Sequence, residues 1–317
     1  MNKVKLILIS PANLIRFNPI RDNIMILISI LVFLQFSCNN FKRDSTATAW
    51  KFKVDNQGVI IDYEDTKVGD TTLLFVHGWN IDKNYWSNQT AFFSKKYRVI
   101  VIDLPGHGKS GKNREDWTVE EYGKDLTTIL TRLDLHNVIL IGHSMSGAIV
   151  VESALKNPDR VIGIVGVDNF SDFGKEVSSE EKDDMQEAYK ALRINYKETV
   201  LQYANQSLFS PSTNNTIRKR VIRDFVNADP TIAVEILEQN EKYPIDVNLK
   251  SLGKTIFLLN SNHYPTDTSG FKKDNIPYEI LYVGPTGHYP MIENPDTFNN
   301  SLERVILKIV ETNDNQE

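Results

Sequence analysis

The chain has 317 residues, of which 41% are apolar and 24% are charged, as in an ordinary folded domain. This composition excludes a disordered chain, a collagen-like repeat and a polytopic membrane protein. The formal net charge of −5 gives no basic excess, so we expect no nucleic-acid partner.

The first 37 residues differ from the rest of the chain. Four basic residues precede an apolar run at positions 24–36, which is shorter than the roughly 20 residues that a membrane span requires. A basic leader followed by a short apolar segment is typical of a secretory signal, so we predict a signal peptide over residues 1–37. The single cysteine, Cys38, follows at once. One cysteine excludes an internal disulfide and a zinc–thiolate cluster.

The junction of Ser37 with Cys38 resembles that of a bacterial lipoprotein signal, in which the cysteine becomes N-terminal and lipidated. Cleavage there removes four basic residues and one acid, which leaves a formal charge of −8. The resemblance implies an exported protein of the bacterial cell envelope, attached to a membrane by acyl chains on Cys38, with residues 38–49 as a polar tether. A plain membrane anchor, or a signal that leaves a free thiol, stays open, as does the choice of membrane.

From residue 50 onward, strand patterns alternate with helix patterns. A hairpin is predicted at 51–63, and apolar runs follow at 73–76, 98–102, 138–141, 161–167, 255–259 and 279–283. Continuous apolar strands are typical of a parallel sheet that is buried on both faces. Helices are predicted at 118–133, 146–156 and 294–310, the first from a capping box at Thr118. The alternation predicts an α/β fold with a doubly wound, mostly parallel sheet.

Residues 171–250 interrupt this alternation, because they contain no convincing strand pattern. A capping box at Ser178 and the Asp229-Pro230 pair each predict the start of a helix. We therefore predict a helical cap at 171–250, inserted into a core made of residues 50–170 and 251–317. Such an insertion commonly covers a site and selects substrates, and a purely structural elaboration is the alternative.

A candidate nucleophile follows the strand at 138–141. The chain passes from this strand through Gly142-His-Ser-Met-Ser-Gly147 into a helix. A strand, a sharp turn with small neighbours and a helix form a nucleophile elbow, with Ser144 exposed at its tip. Position 146 carries serine where the usual pattern has glycine, and serine is small enough to be tolerated there.

Four segments, each at the end of a predicted strand, resemble the α/β-hydrolase fold family in its group with a helical cap. They are Phe-Val-His-Gly-Trp at 75–79, Asp-Leu-Pro-Gly-His-Gly-Lys-Ser at 103–110, the turn at 142–147, and Gly-His-Tyr-Pro-Met-Ile-Glu-Asn-Pro at 287–295. The resemblance covers residues 50–312. It implies Ser144 as nucleophile and His288 as its base.

The resemblance also implies an acid that orients the histidine, placed after one of two strands. Asp168 ends the strand that follows the nucleophile, and we favour it. At the later position Tyr264 aligns with the usual aspartate, so Asp267 is the offset alternative acid. The main-chain N–H groups of Trp79 and Met145 are implied as the oxyanion hole.

These residues imply a serine hydrolase that cleaves a carboxylic ester, or a related acyl bond, of a small to medium substrate through an acyl-enzyme. The reaction requires no cofactor and no metal. Lactone, thioester, amide and C–C bond cleavage stay open, because the same elbow serves all of them. A non-catalytic tethered ligand-binding protein on the same fold is the alternative of a different class. The sequence does not indicate the oligomeric state. Four aromatic residues are candidates for the acyl pocket or for simple packing: Trp79, Phe170, Phe173 and Tyr289.

Overall fold

The computed structural model describes residues 50–315, so the predicted signal peptide, Cys38 and the tether lie outside the described residues. In this part of the chain, eight strands form one sheet in the order β1-β2-β4-β3-β5-β6-β7-β8. They are Trp50–Asn56 (β1), Val59–Asp65 (β2), Thr72–Val76 (β3), Arg98–Ile102 (β4), Val138–His143 (β5), Val161–Val167 (β6), Ile256–Asn260 (β7) and Tyr278–Tyr282 (β8). Between residues 50 and 315, no helix has the length and apolarity that crossing a membrane demands.

The sheet is parallel from β4 to β8, and only β1 and β2 run antiparallel to their neighbours. The hairpin turns on Gln57 and Gly58, which both have positive φ, as a two-residue turn between twisted strands requires. The central strands β3, β5 and β7 are buried along their whole length. This buried parallel sheet confirms the predicted α/β fold.

Residues 50–315 contain eleven α-helices. They are Ser87–Phe93 (α1), Val119–Arg132 (α2), Ser146–Lys156 (α3), Ser179–Ile194 (α4), Tyr196–Tyr203 (α5), Asn215–Val226 (α6), Pro230–Lys242 (α7), Ile245–Ser251 (α8), Ser269–Lys273 (α9), Pro290–Glu293 (α10) and Pro295–Asp314 (α11). A 3₁₀ turn at Lys83–Trp86 and a π-helical turn at Ala204–Leu208 add to them. Helix α2 packs on α3, and α1 packs on α11. These two pairs provide the helical layers that cover the sheet.

The two predicted capping boxes differ. At Ser178 both halves are present, because its hydroxyl accepts from the N–H of Glu181 and the Glu181 carboxylate accepts from the N–H of Ser178. Thr118 accepts from the N–H of Glu121, but the Glu121 carboxylate is paired with Lys124. The prediction of a full box at Thr118 was therefore wrong in its second half, because an ion pair takes the carboxylate.

Five helices, α4 to α8, lie between β6 and β7, and the described chain has no strand there. Within this insertion α4 packs against α5 and α7, and α5 packs against α6. Helix α8 returns to the core and packs on α3, the helix that follows the candidate nucleophile. The insertion is thus a helical layer next to the edge of the sheet at which β5 and β6 end.

Candidate active site

Ser144 occupies the tip of the turn between β5 and α3. Its φ of +54° lies in the left-handed region, which is strained for a residue with a side chain. A Cβ added at Gly142 would lie 2.4 Å from the main-chain oxygen of Ser146, so only glycine fits there. The hydroxyl of Ser146 donates to the main-chain oxygen of His77 at 2.5 Å. The serine that departs from the family pattern therefore links the turn to the neighbouring loop.

Ser144, His288 and Asp168 form a continuous chain of hydrogen bonds. The Ser144 hydroxyl donates to Nε2 of His288 at 2.9 Å. On the other side of the ring, Nδ1–H of His288 donates to Oδ2 of Asp168 at 2.5 Å. Because a carboxylate can only accept, this bond assigns the proton to Nδ1 and leaves the Nε2 lone pair for the serine.

The loop that carries Asp168 is held by main-chain and amide contacts. The second oxygen of Asp168, Oδ1, accepts from the N–H of Ser261 at 2.8 Å. The Asn169 amide donates to the oxygen of Gly142 at 2.9 Å, and the Asn260 amide donates to the oxygen of Asn169 at 3.0 Å. These bonds connect the ends of β5, β6 and β7, so they fix the carboxylate relative to the serine.

The structure does not bring Asp267 to the imidazole. Its carboxylate accepts from the N–H of Ser269 at 2.8 Å, and this bond lowers the pKa of Asp267. Asp267 is exposed, whereas the side chains of Asp168 and His288 are only 15% and 14% exposed. Tyr264, which aligns with the usual aspartate, lines the pocket beside Asp168.

Trp79 and Met145 both lie next to Ser144. Met145 follows it in sequence, and Trp79 follows Gly78, where an added Cβ would lie 3.0 Å from the Cβ of Ser144. Within residues 50–315, no hydrogen-bond partner is found for the main-chain N–H of Trp79 or Met145. Two buried residues therefore present unpaired main-chain donors beside the serine.

Helix α7 contacts both of these residues. The indole N–H of Trp79 donates to the main-chain oxygen of Ala233 at 2.9 Å. The side-chain amide of Asn240 donates to the main-chain oxygen of Met145 at 3.2 Å. Sequence reasoning did not single out Asn240, because an asparagine on a surface-patterned helix carries no local signal of such a contact.

Other histidines near the site hold loops. Nε2–H of His143 donates to the main-chain oxygen of His288 at 2.8 Å, and burial and the nearby His288 keep the pKa of His143 well below its usual value. His77 accepts from the N–H of Leu104 through Nε2 at 3.0 Å and donates to Gly78 through Nδ1 at 2.8 Å. These rings act as neutral hydrogen-bonding groups.

The pocket has two lobes that meet at Ser144, Met145, Tyr203, Asn240 and His288. A lobe of about 320 Å³ is lined by several polar side chains, among them Asp168, Ser171, Asp172, Ser207 and Tyr264. A lobe of about 270 Å³ is lined mainly by apolar side chains, among them Trp79, Met185, Leu208, Phe225, Leu237 and Tyr289. Core and insertion thus share both lobes, and both lobes border the serine.

Three of the four aromatic candidates reach the pocket. Trp79 and Tyr289 line the apolar lobe, and Phe170 lines the polar lobe. Phe173 instead packs on Phe271 with ring centroids 4.6 Å apart. The pocket is lined by carboxylates and by no lysine or arginine among the described residues. The described part of the chain also has no cluster of histidine, cysteine or carboxylate side chains able to hold a metal ion.

Comparison with known proteins places the chain in one family. Residues 71–255 match the α/β hydrolase fold family. A curated relative, the karrikin insensitive 2 receptor CA of Petunia hybrida, is 24% identical over 254 residues, which cover 75% of this chain and 94% of the receptor.

Two solved structures resemble the chain over most of their length. A thermophilic esterase from Thermogutta terrifontis has a TM-score of 0.69 at 20% identity. The match covers 83% of this chain and 99% of the esterase chain. The enol-lactonase from Burkholderia xenovorans LB400 has a TM-score of 0.69 at 18% identity. The match covers 81% of this chain and 99% of the enol-lactonase chain. Likeness at this level of identity concerns the fold. The chain belongs to the α/β-hydrolase fold family.

Proposed function

We propose that this protein is a serine hydrolase that cleaves the carboxylic ester bond of a small to medium substrate. The observation that carries the proposal is the hydrogen-bonded chain from Ser144 through His288 to Asp168, which lies between two pocket lobes. A serine hydroxyl is a weak nucleophile on its own, and an oriented imidazole is the base that activates it.

In the first step, Ser144 Oγ attacks the carbonyl carbon while Nε2 of His288 takes the hydroxyl proton. The Asp168 carboxylate stabilises the imidazolium that forms. Negative charge develops on the former carbonyl oxygen, and the unpaired N–H groups of Trp79 and Met145 stabilise it by hydrogen bonds. A preorganised donor of this kind contributes about 10²–10³ in rate.

In the second step, the tetrahedral intermediate expels the alcohol, which takes the proton from Nε2 of His288. The acyl group stays on Ser144 Oγ as an ester. Water then enters, His288 removes one of its protons, and the resulting attack releases the acid and restores the serine hydroxyl. No step needs a cofactor or a metal ion.

A lactone is the second candidate substrate, because the enol-lactonase resembles this chain over 81% of its length. The chemistry is the same, except that the leaving alcohol stays attached to the acyl group. The chain is also similar to a plant receptor. Ligand binding without turnover is therefore the alternative function of a different class.

Hydrolysis of p-nitrophenyl acetate and butyrate by the purified protein tests the proposal. We expect turnover that Ser144→Ala abolishes and that the exposed control Ser251→Ala retains. Absence of turnover of these esters and of a series of lactones would favour the binding role.

We further propose that residues 171–250 act as a cap over the site.

A separate proposal is that the protein is exported and attached to a membrane through lipid on Cys38. The sequence around Cys38 is the support for this attachment. Labelling with palmitate in a bacterial host is expected for the native sequence and not for Cys38→Ala. Equal labelling of both would argue against the anchor.

A further inference from the structure

Tyr203 ends helix α5 at the junction of the two lobes, where it shares the pocket lining with Ser144 and His288. The residue is only 7% exposed. Its ring packs edge-on against Trp79, with centroids 6.1 Å apart. The position of the hydroxyl is therefore set by packing.

The hydroxyl of Tyr203 has no hydrogen-bond partner among residues 50–315. Burial is the main cause that raises the pKa of Tyr203, and the negative charge of the nearby Asp168 raises it further. Both Asp168 oxygens are nevertheless engaged, one by Ser261 and one by His288. Tyr203 thus remains a protonated donor that is not committed to the protein.

The other buried tyrosine hydroxyls of the insertion are paired. Tyr196 accepts from the Asn80 amide at 2.9 Å, Tyr189 donates to Glu241 at 2.7 Å, and Tyr243 donates to Glu152 at 2.7 Å. Buried polar groups are nearly always hydrogen-bonded, so the unpaired hydroxyl of Tyr203 on the pocket wall is available to bond a molecule in the pocket.

We propose that the Tyr203 hydroxyl donates to an oxygen of the substrate, and that the pocket thereby selects esters with a second oxygen acceptor near the reacting carboxyl group. This inference rests on the proposed hydrolase function. In the empty pocket water can satisfy the hydroxyl, and a purely alkyl substrate displaces that water without replacing its hydrogen bond. An oxygenated substrate restores the bond, so the two kinds of ester differ in kcat/KM.

Pairs of esters in which an ether oxygen replaces one CH₂ group test the inference. The acyl pair is p-nitrophenyl methoxyacetate and butyrate, and the alcohol pair is 2-methoxyethyl and n-butyl acetate. Each kcat/KM is divided by the rate constant for hydroxide hydrolysis of the same ester, which removes differences in intrinsic reactivity.

We expect the native protein to favour the oxygenated member of at least one pair by about tenfold or more, since an unpaired buried donor costs that much. Tyr203→Phe keeps the ring against Trp79, and it should remove this preference by slowing only the oxygenated ester. Tyr196→Phe removes a buried hydroxyl from the same helix outside the pocket and should keep the preference.

An equal effect of Tyr203→Phe on both members of both pairs, or no effect on any, would overturn the inference while leaving the hydrolase function standing. A native protein that hydrolyses neither these four esters nor a series of lactones would overturn both the inference and the hydrolase function.

Discussion

Asp168 accepts a hydrogen bond from His288 at 2.5 Å, although 120 positions separate the two residues in sequence. Parallel strands make this contact possible, because Asp168 follows β6 and His288 follows β8, and both strands end at the same edge of the sheet. Ser144, which follows β5, reaches the same edge. The topology therefore gathers a nucleophile, a base and an acid from three separate loops.

The acid can be assigned by paired substitutions. Asp168→Asn removes the acceptor that orients His288 and stabilises its charged form, so we expect kcat to fall by about 10³–10⁴ with the fold intact. Asp267→Asn should retain nearly full activity, because that carboxylate bonds Ser269 and not His288. Steady-state kinetics of the two variants decide between them. Loss of activity in the second variant alone would show that Asp267 is the acid.

Asn240 is expected to position the oxyanion hole. Its amide bonds the main-chain oxygen of Met145, whose own N–H faces the developing charge in the proposed mechanism. Asn240→Ala should lower kcat about tenfold and change KM less, because one hydrogen bond that fixes the turn is lost. Gln239→Ala is the control, since its amide bonds only Glu235 on the same helix. A change in KM without a change in kcat would assign Asn240 to substrate binding.

A buried charge cluster of Lys83, Asp62 and Asp103 should contribute strongly to stability. Nζ of Lys83 lies 2.5 Å from carboxylate oxygens of both Asp62 and Asp103, and all three side chains are at least nine-tenths buried. Burial alone would lower the pKa of Lys83, but its hydrogen bonds to Asp103 and Asp62 outweigh burial and raise it.

Lys83→Met leaves the two carboxylates buried without a cation. We expect the free energy of unfolding to drop by about 3–5 kcal/mol in urea titrations. The control is Lys96→Met, whose partner Glu303 is 35% exposed and 3.7 Å away, and a solvent-accessible pair of this kind contributes less than about 1 kcal/mol. Equal stability of the two variants would contradict the account of the cluster.

Buried histidines, among them His77 and His107, should make the protein sensitive to acid. Burial lowers the pKa of His77 to about 4 and, together with the adjacent His77, lowers that of His107 to about 3. Between these values and about 6.5, the unfolded chain binds more protons than the folded chain. Stability should therefore fall as the pH falls through this range, by about 1.4 kcal/mol per pH unit for each histidine.

Urea unfolding at pH 7 and pH 5 measures this effect. His107→Gln removes one titrating histidine. The loss in free energy of unfolding between pH 7 and pH 5 should therefore be smaller by the contribution of that histidine. The exposed His136, replaced by glutamine in the same way, is the control for the substitution itself. A free energy of unfolding that is higher at pH 5 than at pH 7 would contradict the expected sign.

The sequence predicts the core of the site because its residues follow local rules. Ser144 stands in a short motif, Asp168 stands directly after an apolar strand, and His288 lies in a segment that resembles the α/β-hydrolase fold family, so all three could be named without knowledge of long-range contacts. Asn240 and Tyr203 could not, since their importance comes from where two helices of the insertion meet the core. Likewise, the helical stretch from Lys83 to Phe93 carries no strong periodicity, and the core packing that buries Trp86 and Phe93 determines it.

Covalent labelling tests the central claim most directly, because it reports the reactivity of one hydroxyl without requiring the natural substrate. The native protein, treated with a fluorophosphonate and measured as intact mass and as peptides, is expected to gain one phosphonate on Ser144. The Ser144→Ala and heat-denatured proteins should gain none. A native protein that stays unlabelled, or that carries the phosphonate on another residue, would contradict the claim that Ser144 is the nucleophile activated by His288.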